Sequence, residues 1–168
     1  DKIAAKPGTD QLQWLVKNNF VPEYFSDIKN RLQELHQEIP ASSPVPSERL
    51  IIGGGTDLIV QKHLLVKKST INHVFDTSDL KGIRLENGQC TLGASVTVTD
   101  LAESKLIQGF FPDLKKYVQL LSSTPIRNMA TLAGNLVNAS PIGDMTVFLL
   151  ALDASIVLSN GKTQREIK

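Results

Sequence analysis

The chain has 168 residues, 41% hydrophobic and 21% charged, with a formal net charge of +1. That length suits one domain, or one domain with an appendage, and lets roughly 70% of the unfolded surface be buried. The near-neutral balance and 5% aromatics supply no drive towards nucleic acid or an anionic membrane, and the single cysteine, Cys90, excludes an internal disulfide or a cysteine-ligated iron–sulfur cluster.

In chain order, Asp10 can cap a short helix carrying Leu12, Leu15 and Val16, which Pro22 ends. Ser26 precedes Ile28, Leu32 and Leu35, whose spacing of four and three makes one apolar helix face. Three prolines within Pro40–Ser47 exclude a helix interior, so this stretch is expected to be a linker or extended arm. The domain boundary is placed there, with 1–44 as a helical connector and proline-rich linker and 45–168 as the main domain. Trp14, Phe20, Tyr24 and Phe25 pack either on their own core or against a partner; the sequence favours neither.

Beyond the boundary, Arg49–Ile52 is expected as a strand running into Gly53-Gly54-Gly55, followed by a helix from Asp57 to His63 and a strand from His73 to Asp76. Asn87-Gly88 between Ile83–Glu86 and Cys90–Leu92 predicts a hairpin, because both turn residues tolerate positive φ. Thr97, Thr99 and Asp100 offer caps for a helix reaching Leu106. Asp113 opens another with Leu114, Tyr117, Val118 and Leu121 on one face. Met145–Leu152 is apolar and expected to be a buried helix, and Ala154–Ser159, Asn160-Gly161 and Lys162–Ile167 form a second hairpin. Short strands and helices without regular βαβ alternation favour an α+β fold. Cys90, inside a strand-like run, is expected to be a buried small hydrophobe. His36, His63 and His73 lack ligand spacing, so no metal site is expected. No targeting segment or membrane-length apolar run is visible, which sets a cytoplasmic expectation with neither membrane nor nucleic acid as partner.

Two segments carry chemistry. In Gly53-Gly54-Gly55-Thr56 the missing Cβ atoms let backbone N–H groups approach a pyrophosphate at a helix start; a flexible turn explains the glycines equally well. The segment lacks the Lys-Ser/Thr of a P-loop and the spacing of a dinucleotide fingerprint. In the second, Thr131, Gly134, Asn135 and Asn138 are followed by Ser140-Pro141-Ile142-Gly143-Asp144. Capping and turn formation account for Ser140 and Asp144 as readily as ligand binding does. Arg127 suits either a phosphate or a neighbouring acid.

Taken together, Ile52–Leu58, Gly93–Thr97, Ile126–Asn135 and Ser140–Asp144 resemble, in order and spacing, the FAD-binding domain of the molybdenum hydroxylases, a family that includes xanthine dehydrogenase and the carbon monoxide dehydrogenase medium subunit. The resemblance implies a PCMH-type fold of two α+β subdomains with FAD extended between them, here preceded by a helical segment and C-terminally incomplete. It carries pyrophosphate binding onto Ile52, Gly53, Gly54, Gly55, Thr56, Asp57 and Leu58. It carries contacts with the ribityl and diphosphate portion onto Thr131, Gly134, Asn135, Asn138 and Asp144, and lining of the flavin or adenosine onto Leu121, Ser122, Ile126 and Ala130. No catalytic acid or base is implied, since the redox chemistry belongs to the flavin. Electrons would arrive from molybdopterin through two 2Fe–2S clusters, held by an iron–sulfur domain and a molybdopterin-binding subunit, and leave to NAD or another acceptor. A flavin-free docking scaffold and a module for another nucleotide remain open as alternatives. Ala133 stands where the family usually has a second glycine; at positive φ it would add strain of about 1 kcal/mol. Pro125 stands where a polar residue is common. Gly54→Val is expected to obstruct the pyrophosphate, and Asn135→Leu to weaken FAD binding without unfolding the chain.

Overall fold

In the computed structural model, which describes residues 10–38 and 49–168, the Asp10 carboxylate accepts from the N–H groups of Leu12 and Gln13 and starts α1 (Gln11–Lys17). The chain divides into two units, Asp1–Ser43 and Pro44–Lys168. In the first, the Trp14 and Phe20 rings stack 5.5 Å apart. A 3₁₀ turn (Glu23–Asp27) follows Pro22, and α2 runs Ile28–Glu38. Ser26 lies within the 3₁₀ turn rather than at the cap. Tyr24 packs against Phe25 with centroids 4.8 Å apart, and the Arg31 guanidinium lies 5.3 Å from the Tyr24 centroid. The aromatics thus pack on one another, while Phe20, Tyr24, Leu32 and Leu35 stay exposed. Pro40–Ser47, the expected linker, lies outside the described residues.

The second unit opens with the strand, helix and strand that the sequence predicts, and the two strands pair as a βαβ element that it does not announce. Strand β1 (Leu50–Ile52) pairs in parallel with β2 (Ile71–His73), and α3 (Thr56–Lys68) joins them. The second strand therefore lies earlier than His73–Asp76, and the helix runs past His63 through a kink at Lys62. The expected hairpin forms from β3 (Ile83–Glu86) and β4 (Gln89–Leu92), with Asn87 at φ 51° and Gly88 at φ 77°. Cys90 is exposed, contrary to expectation: a two-stranded hairpin has two faces, and no second layer covers this one. Partial desolvation still pushes its thiol pKa up.

Thr97 then closes a capping box. Its hydroxyl accepts from Asp100 N–H at 3.0 Å while Asp100 Oδ2 accepts from Thr97 N–H at 2.9 Å. The expected single helix is two, α4 (Val98–Glu103) and α5 (Lys105–Phe110), because Ser104 turns extended and recaps the chain. After α6 (Leu114–Val118) come two helices in a stretch for which the sequence offers no element, α7 (Thr124–Met129) and α8 (Leu132–Asn138). Helix α9 (Asp144–Ala151) and the antiparallel pair β5 (Ile156–Ser159) and β6 (Gln164–Ile167) complete the unit.

The core gathers Val96, Val98, Leu101, Ala102, Ile107, Leu114, Val118, Leu132 and Met145. Of the expected buried helix, only Met145 enters it; Val147 and Leu150 of α9 are 62% and 72% exposed, so its all-round apolarity is not matched by cover. One joint positions everything that follows. Thr97 bridges Thr131, with Val98 N–H donating to the Ala130 carbonyl at 3.0 Å and Leu132 N–H to the Val96 carbonyl at 2.9 Å. Both threonines are buried.

Candidate functional site

The β1–α3 loop is held by its flanks and left open along its backbone. Ile52, buried, accepts through its carbonyl from the Val74 N–H at 2.8 Å. Gly55 then takes φ 70° and caps α3 without any side-chain bond, a left-handed conformation natural to glycine. The first hydrogen bond of the helix runs from Ile59 N–H to the Gly55 carbonyl. No acceptor among the described residues takes the N–H groups of Gly53, Gly54, Gly55, Thr56, Asp57 or Leu58. Six successive donors lead into the first stretch of α3, which runs straight only as far as the Lys62 kink, and gather at its positive end, an arrangement that suits a phosphate or diphosphate.

The second segment meets this loop directly. A Cβ at Gly54 would overlap the Met129 carbonyl, and one at Gly53 would lie 2.9 Å from Thr131 Oγ1. The two glycines therefore serve close backbone approach between the segments. Gly54→Val strikes the chain's own backbone whether or not a ligand is present, so it cannot report on the pyrophosphate alone.

Thr131 is the hub of the joint. Its hydroxyl accepts from Gly134 N–H at 3.1 Å and caps α8. Leu132 and Ala133 N–H groups are taken by the carbonyls of Val96 and Ala94, and Asn135 N–H by that of Thr131. The start of α8 is consequently saturated, unlike that of α3. Ala133 is helical and not among the positive-φ residues, so the anticipated strain is absent.

Asn135 reaches from α8 to α9. Its Oδ1 accepts from Thr146 N–H at 3.2 Å and from Thr146 Oγ1 at 3.0 Å. A backbone N–H can only donate, which pins the amide: Oδ1 faces Thr146 and the NH₂ group is the part left for a ligand. Gly143 is buried beside this pair; a Cβ there would lie 3.2 Å from both Asn135 Oδ1 and Thr146 Oγ1. Asn138 ends α8 and Asp144 opens α9, and neither side chain makes a hydrogen bond among the described residues. Asp144 thus stands in the first turn of α9, where a carboxylate favours the helix by itself.

Arg127 pairs with no acid among the described residues. Its Nη1 donates to the carbonyls of Leu121 (2.7 Å) and Ser122 (2.6 Å), and its Nη2 to Thr124 Oγ1 (2.8 Å). Ile126 lies on α7, and Ala130 caps its end. Pro125 sits in the first turn of α7, where a missing N–H does no harm. The sequence-predicted residues thus gather along one path: the Leu121–Ser122 turn, α7, the Met129–Thr131 joint against Gly53–Gly54, and α8 tied to α9. Sequence reasoning missed Met129, whose carbonyl faces the first loop, and Thr146, which fixes Asn135; nothing in their residue types signals either role. No group of three or more His, Cys, Asp or Glu able to hold a metal occurs among the described residues.

Comparison with known proteins identifies the family. The family model described as the FAD binding domain in molybdopterin dehydrogenase matches residues 26–168. The nicotinate dehydrogenase FAD-subunit of Eubacterium barkeri is 28% identical over 150 residues, covering 89% of this chain and 48% of the relative. The xanthine dehydrogenase FAD-binding subunit of Escherichia coli O157:H7 is 29% identical over 119 residues, covering 68% of this chain and 40% of the relative. The chain thus spans less than half the length of either relative. A crystal structure of cyanide-inactivated Cu,Mo-CO dehydrogenase superimposes with a TM-score of 0.64 at 28% identity, over 72% of this chain and 43% of that one. With the α+β fold of that structure and a family match over most of its length, the chain belongs to the FAD-binding domain family of the molybdopterin dehydrogenases.

Proposed function

We propose that this chain is the FAD-holding part of a molybdenum-containing hydroxylase and that the diphosphate of FAD rests on the Gly53–Leu58 donors. The observation that carries this reading is the row of six backbone N–H groups without an acceptor among the described residues, set against Met129–Thr131. Open N–H groups begin any uncapped helix, α7 included; the β1–α3 loop differs in that Gly53 and Gly54 lengthen the row and abut Met129 and Thr131. In this reading Ile52 and Thr56–Leu58 shape the diphosphate end, and Thr131 and Gly134 hold the joint. The Asn135 NH₂ donates to a ligand oxygen, Asn138 and Asp144 flank it, and Leu121, Ser122, Ile126 and Ala130 line the flavin or adenosine side.

When bound, the flavin supplies exchange between one-electron carriers and a two-electron acceptor. The chain's own residues bind and orient it; none is asked to act as acid or base. The partners are an iron–sulfur domain and a molybdopterin-binding subunit, with NAD or another small acceptor taking the electrons. The FAD-subunit and FAD-binding-subunit names of the relatives support the cofactor assignment.

The test is calorimetric titration of the purified chain with FAD, FMN and riboflavin. A diphosphate cradle predicts saturable 1:1 binding of FAD, weaker binding of FMN and the weakest binding of riboflavin. Equal affinity for all three would remove the diphosphate from the assignment. No FAD binding by a folded chain would favour a docking scaffold.

A further inference from the structure

Among the chemistry-bearing side chains of the second unit, Arg127 is engaged in an unusual way. A guanidinium beside a nucleotide cradle has two obvious uses, gripping a phosphate or pairing with a carboxylate. No carboxylate pairs with Arg127 among the described residues. The ion pairs among the described residues are Lys81–Asp76, Lys115–Glu103 and Lys168–Asp153. Arg127 instead commits both Nη1 hydrogens to two consecutive carbonyls, Leu121 at 2.7 Å and Ser122 at 2.6 Å, and one Nη2 hydrogen to the Thr124 hydroxyl. Those distances are short for N–H···O bonds and fit charge-assisted ones. The end-on fork that would grip a phosphate is used up by the chain itself.

The backbone it grips is strained. Ser122 has φ 40°, a left-handed conformation that a non-glycine residue adopts only when its surroundings hold it there. Ser123, the N-cap of α7, makes no side-chain cap bond, so the turn lacks the ordinary local brace. At its far end α7 carries the Met129 carbonyl that faces Gly54. One side chain therefore ties the Leu121–Ser122 turn to the helix on which the joint of the two loops depends.

We propose that Arg127 is a positioning residue for FAD: it holds the Leu121–Ser122 backbone in its left-handed shape before the cofactor arrives and acts through that turn rather than by touching the ligand. This rests on the reading of Leu121 and Ser122 as part of the FAD site. A turn ordered in advance spares the ordering that binding would otherwise have to impose.

The experiment compares FAD affinity in the purified wild-type chain, Arg127→Ala, Arg127→Lys and the double variant Arg127→Ala/Ser122→Gly. Far-UV circular dichroism and thermal melts establish that each is folded at the titration temperature. Arg127→Ala is expected to bind FAD about tenfold more weakly, and Arg127→Lys, a point donor that cannot fork, about threefold. Glycine accepts positive φ freely, so Ser122→Gly is expected to return about threefold of the loss in the Ala background. If Arg127→Ala does not fold, Arg127→Lys with and without Ser122→Gly makes the same comparison. Wild-type affinity in folded Arg127→Ala overturns the positioning role alone. Loss of affinity that Ser122→Gly leaves untouched also overturns it, and places the guanidinium on the ligand. A wild-type chain that binds no FAD defeats the site reading, and the positioning role with it.

Discussion

Gly54 leaves no room for any side chain, since even a methyl group would overlap the Met129 carbonyl. Gly54→Ala should therefore destabilise the chain by about 3 kcal/mol, because backbone rather than a flexible side chain must move. Urea denaturation reads that loss, and Gly109→Ala is the control. Gly109 lies within α5, and a methyl group added there would meet nothing within 4 Å among the described residues, so alanine should stabilise by up to about 1 kcal/mol. A Gly54→Ala variant as stable as wild type would mean the two loops do not abut. Asn135 allows a sharper separation than a leucine substitution does. Asn135→Asp keeps an oxygen for Thr146 but replaces the NH₂ donors with a negative charge. The fold should persist while FAD affinity falls by about tenfold or more. Unchanged affinity would assign Asn135 to the Thr146 contact alone; Asn135→Leu, which leaves Thr146 without its acceptor, confuses the two roles.

At the scale of elements, the Thr97 capping box and the bridge to Thr131 share one residue, so local helix stability and loop juxtaposition are coupled. Thr97→Ala should lower stability by about 1–2 kcal/mol, and Thr97→Ser by much less, since serine keeps the capping oxygen. Denaturant midpoints that move equally for both would count against the cap. The elements also differ in how plainly their residues announce them. Asn87-Gly88 and Asn160-Gly161 mark their hairpins because the turn chemistry is local. The Asp10 cap is legible for the same reason. Helices α7 and α8 are not: Pro125, Asn128, Thr131, Gly134 and Asn138 interrupt any apolar periodicity, and α8 forms because Thr131 and the Ala94 and Val96 carbonyls satisfy its first donors. The parallel pairing of β1 and β2 escaped notice because three-residue strands carry too little pattern. The candidate site is proposed on glycines and on Asn, Thr and Asp residues that the sequence displays directly. What those glycines face is not displayed there, because that depends on contacts between Gly54 and Met129, far apart along the chain. Apolar α9 and strand-like Cys90 show the remaining limit: composition states what a face tolerates, and only packing decides whether it is covered.

For the whole molecule, a ligand that binds only the folded chain must raise its melting temperature. At a free FAD concentration about 100 times Kd the stabilisation is about 2.7 kcal/mol. For a chain of this size that corresponds to a rise of roughly 5–10 °C. Differential scanning calorimetry across an FAD series should show the midpoint climbing with concentration, and a flat response would mean no preferential binding to the folded state. The close seating of Gly54 on Met129 also sets an order of events during synthesis. Roughly 75 residues separate the two, so a ribosome adding about 5–20 residues per second exposes the glycine loop roughly 4–15 s before its counterpart emerges. Throughout that interval the glycine loop lacks its opposing wall. If the Gly53–Leu58 loop holds FAD as proposed, the complete cradle exists only once translation has passed Thr131.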